Sequence, residues 1–238
     1  MYNKLVKNSQ ITTFLVFVVL ALTAATVASN YRQQLAIDNS KISSGVELSK
    51  EFQRWITNMK KRVDISADEF RLIESNEVFN SAHLTISTTE NEEANSAHLA
   101  KLEEFSQYDD VRFSPNEFQF LDFRREVRSD GNREYLPNEV YYHGLQETKI
   151  IDTRILSCDI DANCYFDRAF FADNHVFVIS QFSRDVPEDE LATAPACALD
   201  EVCTYTIKLH VFDLINSAQH VYASNPYNLN LSEMTQYF

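Results

Sequence analysis

Glycine is nearly missing from this chain, with three residues in 238. Loops that cradle phosphate need glycine where the backbone closes on the ligand, so nucleotide-binding turns are excluded. G-x-G-x-x-G, the Walker loop, G-x-S-x-G and H-E-x-x-H are all absent. Basic charge is scarce as well: 21 Lys and Arg stand against 35 Asp and Glu, a formal net charge of -14. Nucleic acid needs a clustered basic surface and is excluded as a partner. The same sign argues against adhesion to anionic lipid headgroups. No Ser/His/Asp set or converging carboxylate pair can be assembled. Asp109 and Asp110 are merely adjacent, and His143, His175 and His210 lie in or beside strand patterns, where a histidine is more often structural than catalytic. The expectation is a non-enzymatic protein without cofactor or resident metal.

Long apolar runs are limited to one. Residues 11–29, "ITTFLVFVVLALTAATVAS", carry no charge, and 19 residues at helical rise span about 29 Å, one hydrocarbon core. Lys4 and Lys7 precede the run, and Arg32 and Lys41 follow it. The charge bias places the amino end inside. A cleaved signal peptide, cut after "TVA" or "VAS", is the alternative. Either way, residues 30–238 lie beyond the cytoplasm. In a bacterium that means an inner-membrane anchor with a periplasmic domain.

Five segments follow from this reading: a cytoplasmic N-terminus (1–10), a transmembrane helix (11–29), a stalk helix (30–63), an acidic helical segment (64–117) and an antiparallel β domain (118–238). Leu35, Ile42, Ser49, Ile56 and Val63 recur every seven residues, with Phe52 and Met59 three places after Ser49 and Ile56. Ile42, Phe52, Ile56, Met59 and Val63 therefore form an apolar stripe. It packs on the protein's own domain, or it self-associates or docks a partner helix. Lys60–Arg62 reads as a solvated face. Ser66 and Glu69 form a capping box, flanked by Ile65 and Phe70 as a hydrophobic staple, and start a helix to about Val78. Residues 64–122 hold fourteen acidic against three basic residues. That is a solvated face or a docking surface for a basic partner.

The pentapeptide Asn-Ser-Ala-His-Leu occurs at 80–84 and again at 95–99. A shared metal held by His83 and His98 is the tempting reading. The contexts oppose it, because β-branched residues follow the first copy and helix formers follow the second. From Phe118 the apolar period changes to two, giving strands in "FQFLDFRREV", "EVYYHGL", "KIIDTRILSC", "YFDRAFF", "HVFVISQF" and "TYTIKLHVFDL". Residues 223–238 read as an edge or a peptide-like arm. The fold class expected is α+β.

Four cysteines fall in two copies of C-x-[I/L]-D-x-x-C, at Cys158 and Cys164 and at Cys197 and Cys203. Five intervening residues are too many for zinc pairs and for a C-x-x-C redox centre. Asp159, Asp161, Asn163 and Asp167 copy positions 1, 3, 5 and 9 of a calcium loop, but Cys164 stands where glycine is needed and Phe170 where glutamate is. Two disulfides fit better. Local pairing, Cys158–Cys164 and Cys197–Cys203, is preferred, each worth about 2.4 kcal/mol in the chain-entropy picture. Cross-pairing stays open.

The leader "MYNKLVKNSQ", followed by "FLVFVVLALTAATVASNYRQQLAIDN" and a disulfide-closed β domain, resembles type IV pilin-like proteins, including minor pilins, although the leader has no glycine for processing. The resemblance implies assembly through the hydrophobic helix. The function expected is a single-pass, extracytoplasmic structural or assembly subunit that meets other membrane or periplasmic proteins, with self-association through the stalk as one route. A minor-pilin-like subunit and an extracytoplasmic ligand-sensing or binding module are the alternatives.

Overall fold

The alternating patterns after Phe118 do form strands, and they build two sheets rather than one. The structure is a computed structural model that describes residues 40–76, 82–124, 128–129, 134–135, 139–158, 164–184, 197 and 201–230. Among these the helices are α1 (Ser44–Glu47), α2 (Lys50–Met59) and α3 (Glu92–Phe105), with a 3₁₀ turn at Ala67–Glu69. The strands are β1 (Arg71–Asn76), β2 (Ala82–Thr88), β3 (Val111–Phe113), β4 (Gln119–Asp122), β5 (Arg128–Ser129), β6 (Glu134–Tyr135), β7 (Glu139–Gln146), β8 (Lys149–Ser157), β9 (Cys164–Phe171), β10 (Val176–Arg184), β11 (Val202–Asp213) and β12 (Ala218–Asn230).

Sheet 1 runs β1-β12-β11-β10-β9 and sheet 2 runs β2-β8-β7-β4-β3, while β5 and β6 pair separately. Every pairing is antiparallel. The two sheets face each other across Leu121, Phe123, Val140 and Tyr142 of sheet 2 and Phe166, Phe171, Phe177, Ile179 and Phe212 of sheet 1. Tyr142, Phe177 and Phe212 stack there, with centroids 5.7 and 4.8 Å apart. The other face of sheet 1 carries Phe170, Val178, Tyr205, Ile207 and Leu209, which meet the N-terminal helices.

The fold class is thus mainly β, and the α+β expectation is corrected. The stalk does not run as one helix through 63. It breaks at Ser49, whose hydroxyl accepts from Phe52 N (3.3 Å) and starts α2 afresh. The segment 64–117 is not a helical block either. The capping box at Ser66 and Glu69 forms, but it closes only the 3₁₀ turn, because Phe70 then turns extended and buries completely. The chain continues as β1 and β2, and the single helix of that segment is α3. Its cap is Asn91, whose side-chain Oδ1 accepts from Glu93 N and Ala94 N.

Of the two readings of the tail, residues 223–230 take the edge, completing β12 against β11 beyond the end of β1. Pro226 fits there because β1 stops at the Arg71–Ala223 pair, so no donor is needed on that side. The exposed strands β1 and β2 each carry a register shift, at Leu72/Glu74 and Ala82/Thr85, which twists an edge away from intermolecular pairing.

Both disulfides pair locally, Cys158–Cys164 and Cys197–Cys203. The first ties the end of β8 to the start of β9, where the chain crosses from sheet 2 to sheet 1. Among the described residues no helix is long and apolar enough to cross a membrane. Residues 1–39, which carry the expected anchor and the pilin-like N-terminal stretch, lie outside the described residues, as do residues 185–196 and the last eight positions.

Phe52 is fully buried and Leu48 is 78% exposed. Phe52→Ala should lower the unfolding free energy by about 3–5 kcal/mol, whereas Leu48→Ala should change it by less than about 0.5 kcal/mol. Urea denaturation of both variants measures the difference.

Candidate functional site

Helix α2 has two stripes. Phe52, Trp55, Ile56 and Met59 are buried on sheet 1. Glu51, Arg54, Trp55 and Asn58 recur at three- and four-residue spacing, and Arg62 in the following turn extends the row. This second stripe borders a cleft closed on its far side by Arg112 of β3 and by Arg168, Ala169 and Phe170 of β9. Strands β3 and β9 are the edges of their sheets, so the cleft opens where both sheets end beneath α2.

A bulge sets the floor. In the β9–β10 ladder Ser180 pairs with Arg168 and Gln181 with Phe166, which leaves Asp167 as the extra residue. A bulge turns two consecutive side chains toward one side. Asp167 reaches α2, where its Oδ2 accepts from Trp55 Nε1 (3.3 Å) and from Ser180 Oγ (3.2 Å). Arg168 enters the cleft beside it. The Ser180 hydroxyl also accepts from Arg168 N at 3.1 Å and fixes the bulge from below. Arg112 is aimed by its own backbone, since its Nη1 donates to the carbonyls of Asp109 and Val111.

Among the described residues four guanidinium groups and one carboxylate, Glu51, line a cavity of about 390 Å³. Burial holds Arg168 below its ordinary pKa; the positive fields of Arg112 and Arg54 act the same way, and Asp167 and Asp110 oppose them. Trp55, Met59, Ala169 and Phe170 supply apolar wall. Guanidinium forks match carboxylate and phosphate geometry, and a cavity of this size suits a small molecule. Among the described residues that line the cleft, the polar groups are the four guanidinium groups, the Glu51 carboxylate, the Asn58 amide and the Trp55 indole N–H, a set able to hold an anion.

The sequence-derived candidates fare differently. Ile42, Phe52, Ile56, Met59 and Val63 are brought together, but inside the protein, at 0–9% exposure against sheet 1. The stripe is therefore no free surface for a partner helix, because sheet 1 needs it as cover. Asp159, Asp161 and Asn163 lie outside the described residues. Asp167 is 3% exposed and serves Trp55 and Ser180. Cys197, Glu201 and Cys203 bring potential metal ligands within 4.8 Å of one another, but the two sulfurs are bonded to each other and offer no thiolate. His83 sits exposed in β2 at φ 56° and His98 is buried in α3, so the repeated pentapeptide builds no common site.

Sequence reasoning missed the arginines. Arg54 and Arg62 flank Trp55 at helical spacing, which was a usable signal. Arg112 and Arg168 come from strands far along the chain, and no local pattern joins them to it. Comparison with protein-family models, curated proteins and solved structures finds no match to this chain.

Trp55 is the single tryptophan. Asp167→Ala removes the acceptor of its indole N–H, and the variant should lose about 1–3 kcal/mol of stability. Urea unfolding followed by tryptophan fluorescence checks this, with an emission shift in the folded baseline as the local signature.

Proposed function

We propose that this chain is an exported binding module that holds a small organic anion, a carboxylate or phosphate on an apolar body, in the cleft between α2, β3 and β9. One observation carries the proposal. A chain of net charge -14 gathers Arg54, Arg62, Arg112 and Arg168 around one cavity with a single lining carboxylate. Asp167 and Asp110 counter the repulsion at Arg168, and the cluster still gathers four guanidinium forks that match an anion's oxygens. The Trp55–Met59–Phe170 wall takes the ligand's apolar part.

Export is supported by the two disulfides, which persist in oxidising compartments. An assembly subunit was the leading expectation from sequence. The stripe that supported it faces the protein's own sheet, and binding in the cleft accounts for more of what the fold builds.

Trp55 lies in the wall and reports directly. Titration with phenylacetate and phenyl phosphate should change its fluorescence saturably, and the neutral analogue phenylacetamide should bind at least about tenfold more weakly, roughly 1.4 kcal/mol. Arg112→Ala and Arg168→Ala should each weaken the anions by a similar factor while the circular dichroism stays that of the parent. Equal binding of the neutral analogue, or variants that bind as the parent does, would defeat the proposal.

A further inference from the structure

On the outer face of sheet 2, remote in sequence from the cleft residues of α2, helix α3 is held by an unusual contact. Among its fourteen residues one side chain is buried, His98. His98 Nδ1 lies 2.9 Å from His143 Nε2 of β7, and both residues are 3% exposed. The ring centroids are 5.0 Å apart. On its other side His143 Nδ1 stands 3.3 Å from Asp152 Oδ2 of β8, and Lys101 of α3 pairs with that same oxygen. Phe120 of β4 covers the His143 ring at 5.0 Å, and Phe105 stacks on Phe120 at 4.9 Å. The other charges on these elements are Glu139 paired with Arg154, Asp122 paired with Arg124, the exposed Lys149 at the start of β8, and the exposed Glu92, Glu93, Glu103 and Glu104 of α3.

Two imidazole nitrogens 2.9 Å apart need one hydrogen between them, so one must donate and the other accept. With Asp152 drawing the hydrogen of His143 to Nδ1, His143 Nε2 accepts and His98 Nδ1 donates. His143 Nδ1 meets Asp152 only as a 3.3 Å charge contact, and among the described residues His98 Nε2 is then a buried nitrogen with no hydrogen-bond partner. A first added proton leaves either that nitrogen as a buried, unsatisfied donor or the tautomers rearranged. A second places two N–H groups head to head and two cations side by side beneath apolar rings, with Lys101 nearby. Among the described residues the carboxylate in contact with the pair is Asp152, and Lys101 already draws on it.

We propose that the His98–His143 contact is an acid-sensitive clamp, which keeps α3 docked on sheet 2 near neutral pH and releases the helix as the medium turns mildly acidic. Burial lowers the pKa of His98, and the nearby His143 and Lys101 add to the effect. A histidine depressed on folding binds more protons when unfolded, so its docking is complete above its free pKa of about 6.5 and weakens as pH falls below that. Asp152 titrates elsewhere. Burial would raise it, but hydrogen bonds from His143 and Lys101 outweigh burial and hold it down to about 2. Release below about pH 6.5 and above the carboxylate range therefore belongs to His98, through its contact with His143.

Hydrogen exchange read by mass spectrometry, corrected for the intrinsic pH dependence, tests the clamp on the whole chain. Between about pH 7.5 and 5 the amides of 92–105 should lose protection by about tenfold or more, while those of β10 and β11 keep theirs. The His98→Leu, His143→Leu double variant should hold α3 at both pH values. Should that variant fail to fold, NMR titration of the parent's imidazoles decides, because proton uptake by the pair must coincide with the loss of protection. Equal protection of α3 at both pH values, release only below about pH 4, or simultaneous opening of the sheet 1 core would each overturn the proposal.

Discussion

Sheet 1 is apolar on both faces, and the rest of the molecule is arranged around that constraint. In β10 the side chains of Phe177 and Ile179 point to one side and those of Val178 and Phe182 to the other, all at 3% exposure or less. A strand buried on both sides needs two covers. Sheet 2 supplies one. The other must come from the segment before β1, and that is why the Phe52–Met59 face of α2 is spent within the protein. The Cys158–Cys164 bridge sits where the chain passes from sheet 2 to sheet 1, so it restrains the crossover that brings the two layers together. At 25 cal/mol per Å² of apolar area, this layered burial dwarfs the roughly 2.4 kcal/mol of a short disulfide loop. The bridges are staples on a core that hydrophobic burial creates.

The cleft follows from how that cover ends. Helix α2 is short, and it lies over the edge strand β9 rather than over the centre of the sheet alone. At that edge a bulge gives β9 one residue more than β10, and the surplus is Asp167. Its carboxylate anchors the tryptophan of the covering helix. The same irregularity presents Arg168 beside it. One backbone feature thus joins the helix to the sheet and delivers a guanidinium to the space between them. The calcium-loop pattern had assigned Asp167 to a turn ligand. Its position in the ladder makes it a structural acceptor instead.

Strands that were legible from sequence are those whose two faces are both specified by burial. "HVFVISQF" and "TYTIKLHVFDL" become β10 and β11 with little displacement, and the turn at Asp173 forms because its side chain accepts from His175 N and Val176 N, each at 2.7 Å. Edge strands were not legible. In β1, Ile73 is 56% exposed at the register shift, and in β2 Leu84 and Ile86 are 53% and 55% exposed, so neither strand carries a period of two in its burial. The Ser66–Glu69 box illustrates a different failure. A cap satisfies local N–H groups whether one turn follows or four, and only the apolar pattern beyond it sets the length. Phe70 was needed in the core at once, so the helix stopped. The arginine cleft was opaque for a third reason: its members come from α2, β3, β9 and an intervening turn, and only the packing of two sheet edges under one helix makes them neighbours.

Charge ties the two proposals together. The net -14 sets a repulsive field for any anion approaching from solvent, and at physiological salt that field is screened over about 8 Å. An anion is therefore not steered to this protein from afar. It must be held by contact, by guanidinium groups close enough to act inside the screening length and backed by apolar wall that excludes water. The same field acts with the opposite sign on protons. An acidic surface raises the local tendency of buried bases to take up a proton, and His98 resists because burial opposes it. Each site works against the average charge of the chain through local desolvation, which acts at shorter range than the field it opposes.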